Sequence, residues 1–98
     1  DVAGIVGRVT RGVEEAVEKA AFDIEARAKA AAPVQTGYLK SSIAAERLGP
    51  ARWIVAARAS YAIFVELGTS RMGASPFLIP AAEAVRGPLL AAIKKTVR

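Results

Sequence analysis

Apolar residues at positions 6, 9, 13, 17, 20, 24, 28 and 31 are separated by threes and fours, which is the spacing of one face of a helix. Val6, Val9, Val13, Val17, Ala20, Ile24, Ala28 and Ala31 therefore commit the first third of the chain to one long amphipathic helix ending near Ala32. Its other faces carry Glu14, Glu15, Glu18, Lys19, Glu25 and Lys29. Glu15–Lys19 and Glu25–Lys29 have the i,i+4 spacing of solvated helix pairs. Gly4, Gly7 and Gly12 weaken the first turns by up to about 1 kcal/mol each relative to alanine, so the expected start is near Thr10, which has a capping side chain. A stripe of such small residues suits packing on a neighbouring helix or on the chain's own sheet.

Pro33 forces the preceding residue out of the helical region, and Val34-Gln35-Thr36-Gly37 reads as a turn. Tyr38, Leu39 and Ile43 lie around Lys40, Ser41 and Ser42, which fits a single helical turn running into a strand over 43–48. Gly49-Pro50 is a turn signal, and RWIVAAR from Arg52 to Arg58 is rich in bulky and β-branched residues, so the two runs form a hairpin. Trp53, Val55 and Ala57 share one face and Ile54 and Ala56 the other. A sheet apolar on both faces asks for a helix on each side or for a neighbouring subunit.

The stretch 61–81, YAIFVELGTSRMGASPFLIPA, hangs a Gly- and Ser-rich loop between two apolar anchors. Before the loop, residues 61–67 read as a short helix, with a strand as the competing assignment. After it, Pro76 and Pro80 bracket Phe77, Leu78 and Ile79 and suit the start of a helix, where a missing N–H costs nothing. The expected inner face of that last helix is Ile79, Ala82, Val85, Leu89, Ile93 and Thr96 or Val97. Gly87-Pro88 predicts a kink, or two abutting helices, within it.

At 98 residues the chain makes a single domain over 1–98, of α+β class: a long N-terminal helix, a small antiparallel hairpin, a short helix and loop, and a C-terminal helix. Alanine supplies much of the 53% hydrophobic content and aromatics only 6%, so the core is built from small and aliphatic side chains. With neither cysteine nor histidine, disulfides, thiolate metal sites and histidine-based catalysis are excluded. No apolar run approaches the roughly 20 residues that span a bilayer.

The net charge of +5 is unevenly spread. Five basic residues face six acidic ones in the first 35, whereas from residue 68 onward Arg71, Arg86, Lys94, Lys95 and Arg98 meet only Glu83. Such an excess suits nucleic acid or an acidic partner, and equally a helix C-terminus whose dipole favours cations.

Little in the chain points to chemistry. Glu66 is the only acidic residue near the loop and has no paired carboxylate, and the Thr36-Gly37 and Gly68-Thr69-Ser70 steps lack a phosphate-binding lysine. Glu66 reads either as a carboxylate accepting backbone N–H groups of the loop at 68–70 or as an exposed helix residue. Tyr61, Phe77 and Trp53 read as core anchors. Arg71 and Met72 at the loop tip are the best contact candidates by position.

Taken together, Ala32-Pro33-Val34-Gln35-Thr36-Gly37, Leu39-Lys40, Ser42-Ile43, Tyr61-Ala62, Val65-Glu66, Gly68-Thr69, Met72, Ala74, Pro76-Phe77-Leu78 and Pro80-Ala81 resemble the signature of a tailed-bacteriophage family of small tail-completion or head-tail joining proteins. The resemblance covers about residues 10–98. It implies a non-enzymatic, homo-oligomeric ring, a hexamer, at the head-proximal end of the tail around the DNA path. It also implies assembly in the host cytoplasm and a final location in the neck of the virion. The implied partners are further copies of the chain, head-tail connector and tail-tube proteins, and DNA passing without sequence recognition; no cofactor, membrane or small-molecule substrate is implied. The motif positions Thr36, Gly37, Leu39, Tyr61, Glu66, Gly68, Thr69, Met72, Pro76 and Phe77 carry over as structural and interface residues, with Arg71 beside them. The competing expectation is a free basic nucleic-acid-binding module.

Overall fold

The computed structural model describes residues 2–33, 37–59, 61–68 and 73–96, and of Phe64 the backbone alone. In chain order the elements are α1 (Val2–Ala31), α2 (Tyr38–Ser41), β1 (Ile43–Gly49), β2 (Arg52–Ala57), α3 (Ala62–Leu67) and α4 (Ile79–Thr96). This is the expected α+β arrangement, with α4 packed on α1 and the hairpin against α1. The molecule is elongated, 60 × 21 × 18 Å.

The first helix departs from expectation at its start, which is Val2 and not Thr10. Extending a formed helix fixes one residue per added hydrogen bond, so once the later turns are held by packing, the early glycines lower its stability without ending it. Gly12 also has a positive use. A Cβ there would collide with the side chain of Thr96, so the bare backbone lets the end of α4 lie directly against α1.

The stripe is buried only in its middle and lower turns. Ala20, Ala21 and Ala28 are buried, Val13, Val17 and Ile24 half-buried, and Val6 and Ala31 exposed. Ala32, one residue on, takes the inward place expected of Ala31. The core gathers Ala28, Ala32, Leu39, Ile43, Ala59, Ala62, Phe77 and Ala81 around the lower end of α1. Alanines allow the elements to approach closely, and Phe77 and Ile43 are its largest fully enclosed side chains.

β1 and β2 pair antiparallel, with Ile43 opposite Ala57, Ala45 opposite Val55 and Arg47 opposite Trp53, and an irregularity between Arg47 and Gly49. Ala51 closes the turn at φ 53°, a left-handed conformation that is uncommon outside glycine. The face bearing Trp53 and Val55 meets α1, where the Trp53 ring stands edge-on to Phe22 with centroids 5.1 Å apart. Trp53 is thus half-buried at the margin rather than a central anchor. On the opposite face Ala44, Glu46 and Ile54 are exposed, and no described residue buries them.

α1 also holds the outer edge of β1. Glu25 is not a solvated partner of Lys29: its Oε2 accepts the Ala45 N–H at 2.7 Å. Glu14 reaches Arg47 at 3.4 Å across a solvent-exposed surface. α4 is one helix running through Pro88, so the two-helix alternative does not occur. Pro88 and Leu89 both lie over Ala16, Ala20 and Asp23 of α1, and packing on either side of the proline holds the helix together. Val85 is buried and Leu89, Ile93 and Thr96 are half-buried on the expected inner face, which departs from expectation only in its first turn, where Ala81 is buried while Ile79 and Ala82 are exposed.

Candidate interaction site

The described segments on either side of residues 69–72 are tied together by one carboxylate. Glu66, in the last turn of α3, accepts N–H groups from Phe77 at 3.1 Å, Leu78 at 2.9 Å and Ile79 at 3.1 Å. Those are the amides leading into α4, whose first turn contains no Ser, Thr, Asp or Asn to cap it. Pro80 has no N–H to satisfy. Glu66 therefore caps α4 from another helix. The expected acceptor role is present, and its donors among the described residues are at 77–79; Thr69 and Ser70 lie outside the described residues. Burial pushes the Glu66 carboxyl up, and the three backbone donors pull it further down, leaving it below its ordinary value.

A second tie lies beside it, where the Ser75 N–H donates to the Val65 carbonyl at 2.8 Å. Gly68 ends α3 at φ 80°, the left-handed conformation that helix C-termini reserve for glycine. Gly37 takes φ 76° at the start of α2. Phe77, only 1% exposed, fills the centre of the core beside Leu39, and Pro76 remains outside. Tyr61 is corrected: at 38% exposed it is no core anchor, and its ring lies 6.2 Å from that of Tyr38 at the surface. Ala62 is the residue of that turn that faces inward, because the close core around Ala59 and Ala81 takes a methyl more readily than a phenol. Thr36, Thr69, Arg71 and Met72 lie outside the described residues.

The structure also assembles surfaces that had no sequence signal of their own. Between β2 and α3 an open groove of about 430 Å³ is bordered by Val55, Ala57, Ile63, Leu67, Phe77 and Ile79. Ile63, Leu67 and Ile79 are each more than half exposed along it. At the other end of the molecule Gly12 lies against Thr96, with Arg8 and Arg11 within about a turn of the contact on α1 and Lys94 and Lys95 beside it on α4; Arg11 also borders Glu14, Glu15 and Glu18. Among the described residues no group of carboxylates is placed to hold a metal ion, and no helix is long and apolar enough to cross a membrane.

A family model described as "Bacteriophage HK97-gp10, putative tail-component" matches residues 5–68, from the upper turns of α1 to Gly68. It includes Thr36, Gly37, Leu39, Tyr61 and Glu66, and stops short of Arg71, Met72, Pro76 and Phe77. No curated protein and no solved structure matches the chain. On the extent of that match, the chain belongs to the HK97-gp10-like family of bacteriophage tail components.

Proposed function

We propose that this tail component is a ring-forming subunit, a hexamer by the resemblance of its motifs, at the head-proximal end of the tail, joining head to tail around the DNA path. The observation that carries the reading is uncovered apolar surface at both ends of a narrow molecule. Val2, Ile5 and Val6 are exposed at one end, and Ile63, Leu67 and Ile79 at the other. Exposed patches of this kind mark contact sites, and in a closed ring one surface of each subunit meets a different surface of the next.

The cationic side chains on either side of the Gly12–Thr96 contact support a position near DNA. Arg8, Arg11, Lys94 and Lys95 offer phosphates a favourable field without reading bases. The subunit performs no catalytic step; its work is to hold neighbours. Arg71 and Met72 contact the next subunit or a neighbouring ring, and Glu66 fixes the backbone at 77–79 that follows them.

Sedimentation and electron microscopy of the purified protein, alone and with tail tubes, test the reading. Closed rings that join heads to tails, lost in a Met72→Asp variant at the joining step, are expected. A free monomer that binds DNA tightly and loses about a decade or more of affinity as salt rises overturns it in favour of the nucleic-acid-binding module.

A further inference from the structure

The stripe that buries α1 against its own chain does not stop where its covering stops. Thr96, the last described residue of α4, lies against Gly12, yet α1 continues back to Val2, about 15 Å further at 1.5 Å per residue. Val2, Ile5, Val6 and Val9 lie on this projecting part at i, i+3, i+4 and i+7, the anchor pattern of a helix that lies in an apolar groove. Val2, Ile5 and Val6 are exposed. Val6 and Val9 continue the line that Val13, Val17 and Ala20 turn inward lower down.

The groove between β2 and α3 has the matching character and cannot be reached by its own helix. It lies beside the core at the lower end of α1, around Ala28, some twenty residues of helix, or about 30 Å, from Val6. The charges also match. Arg8 flanks the apolar face of the projecting turns, Arg11 lies on the opposite side of the helix, and between residues 2 and 13 there is no acidic side chain. The Glu66 carboxylate borders the groove, and Glu83 stands one turn beyond Ile79 on the same side of α4, with no ion-pair partner among the described residues.

We propose that the projecting end of α1 docks, through Val2, Ile5, Val6 and Val9, in the groove between β2 and α3 of a second copy of the chain. The contact is heterologous, each copy giving a helix to one neighbour and a groove to the other, and it rests on the ring reading for closure. Arg8, on the flank of that face, then lies toward Glu83 of the receiving copy.

The absence of cysteine makes the test direct. Val6→Cys and Leu67→Cys are made in separate chains, both at exposed positions that leave the core untouched. Under mild oxidation, a mixed disulfide dimer is expected when the two variants are combined, and a ladder of linked subunits from the double variant. A second arm places Arg8→Glu in the chain, weakening assembly about tenfold, and Glu83→Arg in the same chain, restoring it. Rings of normal mass without the mixed disulfide overturn the docking and leave the ring intact. Linked but open chains uphold the docking and overturn the ring, and a wild-type protein that stays monomeric overturns both.

Discussion

The carboxylate of Glu66 stands 2.9 Å from the backbone nitrogen of Leu78, and the same side chain also takes the amides on either side of it. The last helix thus begins where a side chain from the preceding helix tells it to. A local cap would hold α4 without reference to α3, whereas this one fixes the end of α3 against the start of α4.

Removing that acceptor should therefore cost more than a surface substitution. Glu66→Ala leaves three amides to find water at a partly covered helix start, and we expect a loss of about 2 kcal/mol, in the range for caps and charge-assisted bonds. Glu66→Gln keeps one acceptor oxygen and should lose about half as much. Urea unfolding of the three proteins measures both, and equal stability of Ala and wild type would remove the cap from the account.

The same group sets an acid limit. Folding lowers the Glu66 pKa below its ordinary 4.5, so the unfolded chain binds the proton more readily than the folded one. Its stabilisation is complete above that ordinary value and is lost as pH falls through the lower, folded one. The difference in urea midpoint between wild type and Glu66→Gln should stay constant from neutral pH to about 5 and shrink in more acid solution. A gap that widens in acid would contradict the assigned direction.

Gly12 and Gly7 lie on one helix and should respond to alanine with opposite signs. At Gly7 an added Cβ meets nothing within 4 Å, so Gly7→Ala gains up to about 1 kcal/mol of helix propensity. At Gly12 the new methyl strikes Thr96, whose hydroxyl is bonded to the Ala92 carbonyl at 3.0 Å, and the loss of packing outweighs that gain by about 1 kcal/mol. Thr96→Ala in the Gly12→Ala background should recover the loss. Thermal unfolding of the three variants beside the wild type decides it.

Much of this architecture was legible in the residues, and the misses share a cause. The threes and fours of α1, the Gly49-Pro50 turn and the prolines ahead of α4 are local signals, and each element they predict is present. Partners distant in sequence are not local signals. Glu25 has perfect spacing to Lys29, and only the position of β1 reveals that Ala45 is its donor. Glu66 could be read as an acceptor, but not whose amides it accepts. Tyr61 misled because an aromatic is normally the better core residue, and here the gap between α3 and its neighbours has room for Ala62. The groove beside α3 is bordered by residues from three separate stretches of chain, so no single stretch announces it.

The hairpin turn offers the last prediction. Ala51 holds φ 53°, where the Cβ of an L residue crowds its own backbone at a cost of about 1 kcal/mol or more. Glycine removes that cost and adds a smaller one by loosening the unfolded chain. Ala51→Gly should therefore leave stability unchanged or raise it by up to about 0.5 kcal/mol, against the usual penalty for placing glycine in a protein. A β-branched residue makes the contrast sharp. Ala51→Val cannot take this conformation without strain and should destabilise by about 1–2 kcal/mol, although the position is at the surface end of the hairpin and no core contact is lost. Differential scanning calorimetry of the two variants separates the cases: if valine is tolerated as well as glycine, the turn relaxes freely and the left-handed residue does not define the hairpin.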